Sequence, residues 1–145
     1  MPAPYDLDNA CVMSKRRISV VAAVIENDGK YLLTQRKATA VLPLLWEFPG
    51  GRVEEGESEM AALVRELSGR IGLTVIVNER ISQNVHEYEA YDVRISLYSC
   101  EIPLHCTPQA VGVQQMRWVA IEERGNYEFP PADQESMSQL LNLLH

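Results

Sequence analysis

The sequence predicts one domain of the α+β or α/β class, with short β-strands and two helices set well apart along the chain. Three observations carry this. β-branched and apolar runs recur between turn signals, which is the pattern of strands. One run behind a double glycine has apolar residues at helical spacing, and a second leucine-rich run follows a proline break near the end. At 145 residues the chain suits a single domain with a sizeable core. Its 46% hydrophobic and 23% charged content is that of an ordinary folded protein.

Residues 1–16 are polar and irregular, carry Pro2 and Pro4, and read as a flexible N-terminal arm, leaving 17–145 as the domain. Met13 stands directly before SKRRISVVAAVIE and offers a second start. The apolar run 18–26 is a buried strand, Asn27-Asp28-Gly29-Lys30 a turn, and YLLTQR the returning strand. Residues 37–44, with Pro43, form a loop into Trp46-Glu47-Phe48. Residues 73–82 are β-rich, 84–88 and 93–101 pair around a turn at 89–92, and 115–120 is a further strand beyond the loop 103–112. Phe129-Pro130-Pro131-Ala132-Asp133 breaks the chain, and Asp133 caps a last helix running through Leu140, Leu141 and Leu144.

The chain is organised around residues 45–73, LWEFPGGRVEEGESEMAALVRELSGRIGL. Gly50 and Gly51 permit a sharp turn there. An acidic loop with Glu54, Glu55 and Glu57 follows; Ser58 is a plausible N-cap, and Glu59 suits the positive end of the helix dipole. Leu63, Val64, Leu67 and Ile71 share the core face of the helix, while Arg65, Glu66, Gly69 and Arg70 fall away from it. A polar helix face looking back at a glycine loop is a candidate site for an anion or a metal-bound phosphate.

These residues resemble the Nudix box: Gly51, Glu57, Arg65, Glu66, Leu67, Gly72 and Leu73 stand at its spacing. LLTQR, LWEFPGG, MRWV and FPPAD are similar, in the same order, to segments of MutT-type nucleoside triphosphate pyrophosphohydrolases. The resemblance runs from Ile18 to the end and implies the Nudix α/β/α sandwich, a mixed β-sheet between helices. It also implies hydrolysis of a nucleotide's diphosphate bond with magnesium or manganese, which neutralises phosphate charge and activates water. Glu66 and Glu57 are then the metal candidates and, with Arg65, the catalytic ones. Arg65 doubles as a structural partner in the box loop. Phosphate or nucleotide contacts fall to Arg36, Phe48, Gly50, Gly51, Arg52, Arg70 and Asp133. Asp133 takes the position that reads the base, where a carboxylate favours an edge presenting an amino donor, as in cytosine or adenine. Trp46 and Phe48 serve either the core or a base edge.

The sequence departs from the family where the metal should bind. Gly69 and Arg70 replace the Glu-Glu pair, and Gly112 stands six residues before Trp118, where a further glutamate is expected. Glu66 and positions 69 and 70 share one helical face, so the formal charge there falls from −3 to 0. Three readings follow: a nucleotide-binding Nudix protein with pyrophosphohydrolase activity weak or lost, a working hydrolase with a rearranged site drawing on Glu54, Glu55 or Glu57, or a non-catalytic interaction module.

Composition narrows the partners. A net charge of −7 and a pI near 4.9 argue against a nucleic-acid polymer but leave a small anionic ligand open. Cys11, Cys100 and Cys106 make no disulfide framework, and Cys100, His105 and Cys106 lack the paired spacing of a zinc site. No run is long enough to span a membrane and no signal peptide is visible, so the expected location is cytoplasmic. The resemblance is compatible with a homodimer.

Overall fold

The computed structural model describes residues 16–134. The arm up to residue 15 and the last helix beyond residue 134 lie outside the described residues. Everything is built on β1 (Arg16–Asn27), whose 12 residues are long enough to be shared by three partners. It runs parallel to β6 (Tyr91–Glu101), from Arg16↔Tyr91 to Ile25↔Cys100. Its middle pairs antiparallel with β4 (Gly50–Arg52), and its end turns into β2 (Lys30–Gln35). Beyond β2 lie β3 (Trp46–Glu47) and β7 (Gln115–Ala120); beyond β6 lies β5 (Ile76–Glu87). The result is a mixed seven-stranded sheet. The β1–β2 turn has positive φ at both Asp28 (54°) and Gly29 (78°), the backbone of a type I′ hairpin.

The hydrophobic pattern of β1 explains its central place. Both faces are buried: Val21, Ala23 and Ile25 meet the helix α1 (Glu59–Ile71), while Ala22 and Val24 face Leu33, Phe48, Val93, Ile95 and Phe129. The helix contributes Ala62, Leu63, Leu67 and Ile71; Val64 sits at the edge of that stripe, half-buried. Ser58 is the N-cap, its hydroxyl accepting from the Ala61 N–H at 3.1 Å, and Gly72 ends the helix in the left-handed region at φ 74°. No helix among the described residues is long and apolar enough to cross a membrane.

The structure redraws four sequence expectations. Gly50 and Gly51 do not form a sharp turn; they lie in β4 without positive φ. Gly50 must be glycine because its Cβ would overlap the Val21 carbonyl oxygen, whereas a Cβ on Gly51 would displace the Glu66 carboxylate. The β-rich runs before and after residue 83 form one strand, bent by register shifts between Val77 and Ser82. A short 3-10 helix at Ile121–Asn126 was not foreseen. Finally, Asp133 is not a cap: helix begins at residue 131, where the fixed φ of Pro131 suits a first turn, and Asp133 sits inside it with its N–H on the Pro130 carbonyl at 3.0 Å.

Candidate functional site

The loop between β4 and α1 is held by one side chain. Arg65 donates from Nε to Glu57 Oε2 at 2.7 Å and from its terminal nitrogens to Glu57 Oε1, the Arg52 carbonyl and Glu66 Oε2, each at 2.9 Å. The fork matches a carboxylate and a carbonyl at once, which ties the acidic loop, the end of β4 and the helix together. Glu57 also accepts from the Glu54 N–H at 3.0 Å. Its carboxyl is lowered to about 2, mainly by the Arg65 hydrogen bonds and then by that backbone N–H. This clasp depends on Gly51, since Glu66 fills the space a side chain there would need.

In front of the clasp lies a cleft of about 580 Å³, the size of a small-molecule site. Its floor is the face of β1 and β6 opposite α1, with Ile18, Val20, Val93 and Ile95. The predicted Arg36, Phe48, Gly50, Gly51, Arg52, Arg70 and Asp133 all line it. Glu57, Arg65 and Glu66 are not among its lining residues, and Trp46 packs edge-on against Tyr127 at 5.0 Å. Four arginines, including Arg16, and two acidic residues line the cleft, so it is locally positive in an acidic chain.

Of its two acidic groups Asp133 is buried and Glu47 largely covered. Glu47 pairs with Arg36 at 3.1 Å, yet burial keeps its carboxyl above the usual range despite that guanidinium. Asp133 is pushed well up, by burial first and by the negative Glu47 second. A neutral Asp133 offers one donor and one acceptor side by side. Arg36 also donates from Nε to the Val41 carbonyl at 2.7 Å, which fixes the loop at the rim. Sequence reasoning missed Glu47, Tyr88, Ala90 and Tyr91 as lining residues; Glu47 lay in view within LWEFPGG, but nothing in its spacing distinguished a buried acid from a surface one.

A divalent metal does not fit the residues present. Glu66, one of the two metal candidates left once Gly69 and Arg70 replace the Glu-Glu pair, already accepts from Arg65 through Oε2 and from Arg70 Nε through Oε1 at 3.0 Å. Glu57 is committed to Arg65 through both oxygens. No group of three His, Cys, Asp or Glu able to hold a metal exists among the described residues. At Gly112 a Cβ would lie 2.6 Å from the Gly69 carbonyl oxygen, and the Gly112 N–H donates to the Arg70 carbonyl at 3.0 Å. A side chain there needs the loop to move. At Gly69, by contrast, a Cβ meets nothing within 4 Å.

Comparison with known proteins agrees with this architecture. The NUDIX domain family model matches residues 20–139. The chain is 43% identical to a CTP pyrophosphohydrolase of Escherichia coli K12, over 81% of this chain and 87% of that one. It is 32% identical to an 8-oxo-dGTP diphosphatase of Haemophilus influenzae, over 92% and 98%. Among solved structures, the E. coli ORF135 protein superposes with a TM-score of 0.72 at 39% identity, covering 89% of this chain and 91% of that one. The MutT protein of Methanosarcina mazei shares the fold with a TM-score of 0.74 at 23% identity, over 86% and 92%. By its sheet, its glycine-backed clasp and these matches, the chain belongs to the Nudix family.

Proposed function

We propose that this protein binds a nucleoside di- or triphosphate in the cleft and that its pyrophosphohydrolase activity is weak or lost. The observation that carries this reading is the Glu66 carboxylate, held on one oxygen by Arg65 and on the other by Arg70, where the family places its metal. Arg36, Arg52 and Arg70 line the cleft and supply positive charge for phosphate without a metal ion. In the same cleft Asp133, whose carboxyl is pushed up by burial, matches in its protonated form the acceptor nitrogen and amino group of cytosine. The likeness to a CTP pyrophosphohydrolase supports a cytosine nucleotide over other bases.

The same likeness favours the second reading, an active metal-dependent hydrolase with a rearranged site. Pyrophosphate and phosphate release from a nucleotide panel, with magnesium, manganese or EDTA, separates the two. We expect release at the level of a mock-purified control, alongside CTP binding in EDTA that Arg70→Ala weakens by about tenfold. Metal-dependent release well above that control would establish the hydrolase instead. Gly69→Glu combined with Arg70→Glu should introduce metal-dependent turnover, because position 69 has room for the side chain. Silence from the folded double variant would extend the defect to Gly112.

A further inference from the structure

The turn from β5 into β6 brings two tyrosines to the cleft. Tyr88 donates its N–H to the Tyr91 carbonyl at 2.9 Å, which places them opposite each other across Glu89 and Ala90. Side chains directly opposed in a hairpin project from one face of the sheet. Their rings accordingly lie 5.2 Å apart and only 30° from parallel. On β6 the alternation then continues through Val93 and Ile95, so the rings and the apolar floor form one surface. Tyr88 is tied to the polar end as well: its hydroxyl accepts from the Ala132 N–H at 3.4 Å, one residue before Asp133.

We infer that Tyr88 and Tyr91 form the stacking wall of a nucleobase subsite, in which a flat heterocycle lies against their rings with its polar edge toward Asp133. This rests on the nucleotide-binding reading above and assigns its two halves to different residues. The arginines take phosphate whatever is attached to it, whereas the tyrosine rings take only a π surface. An acyl chain or a free sugar would satisfy the apolar floor without using a pair of near-parallel rings. Stacking also fits an acidic protein with few positive charges to spare, because it gains affinity without further counter-charge.

The test compares CTP with inorganic tripolyphosphate by calorimetry in EDTA. Native protein should bind CTP more tightly than tripolyphosphate. Tyr91→Ala should weaken CTP by about 5- to 150-fold and leave tripolyphosphate unchanged; Tyr91→Phe should behave as native, and Arg70→Ala should weaken both ligands. A Tyr91→Trp variant, which keeps a ring if the alanine variant fails to fold, should lose fluorescence on adding CTP and not on adding tripolyphosphate. Equal binding of CTP and tripolyphosphate to native protein would overturn the stacking wall and leave a phosphate site standing. So would folded Tyr91→Ala with native CTP affinity, or unquenched tryptophan at saturating CTP. Binding of neither ligand would bring down the nucleotide reading, and the wall with it.

Discussion

The two ends of the box helix have fared differently. At its start, Ser58 caps, Arg65 holds Glu57 and the Arg52 carbonyl, and Gly51 leaves space for Glu66. At its end, Gly69 and Arg70 stand where carboxylates are expected, and Gly112 lies against the Gly69 carbonyl. The start is architecture: it fixes where β4 meets the helix and hence the shape of the cleft. At the end, Leu67 and Ile71 still pack into the core, and the change is confined to the outward positions 69 and 70. A Nudix box therefore contains two separable devices, and this chain keeps the first while changing the second.

The largest break in that comparison should come from Gly50→Ala. Its Cβ would overlap a backbone carbonyl of β1, which cannot rotate away, so β4 must separate from the sheet. Overpacking of this kind costs about 1–3 kcal/mol and occasionally more, and we expect the upper end, measured as the urea midpoint. Gly51→Ala meets the far end of the Glu66 side chain instead, which can swing aside. It should cost less but release Glu66 from its arginines. Equal destabilisation by the two would contradict the distinction between a backbone and a side-chain neighbour.

The next contrast is between the two arginines. Arg65 makes four hydrogen bonds that span three segments, whereas Arg70 makes a single i,i+4 ion pair. Because Arg65 is substantially exposed, with 43% of its side chain accessible, solvent screening limits its worth. Arg65→Ala should still destabilise the fold more than Arg70→Ala, whose i,i+4 pair is worth no more than about 0.5 kcal/mol. Thermal unfolding of both variants decides it; a larger loss for Arg70→Ala would make the helix end structural after all.

These contrasts also show what the sequence could and could not convey. The hairpin, the box helix with its N-cap Ser58, and the strand at Gln115–Ala120 were legible because turn residues and periodicity are local. The parallel pairing of β1 with β6 was not, since it joins residues 75 positions apart and leaves no local signature. Gly50 and Gly51 were recognised as special for the wrong reason: a glycine needed for close approach looks the same in sequence as one needed for a turn. The candidate residues Arg36, Arg52, Arg70 and Asp133 were legible through motif resemblance, and the structure gathers them on one cleft. Glu47, Tyr88 and Tyr91 became visible only when burial and the β5–β6 turn put them beside Asp133.

The smallest expected effect concerns the far end of the cleft, where charge is buried instead of exchanged. Asp133 has its pKa raised in the folded protein by burial and by Glu47. Above the ordinary carboxyl range, then, the folded chain holds a proton that the unfolded chain has released. Its contribution to stability is fully present at low pH and fades as pH rises through the folded pKa, where the ionised carboxyl must sit buried beside Glu47, with Arg36 offsetting only part of the cost. Asp133→Asn keeps the shape and cannot titrate. The variant's melting temperature relative to native protein should therefore improve steadily from pH 4 toward pH 8. If the difference is flat across that range, Asp133 is charged at neutral pH and accepts hydrogen bonds only. The cytosine edge would then keep its amino contact but lose the partner for its ring nitrogen, so Asp133→Asn would strengthen CTP binding instead of leaving it near native.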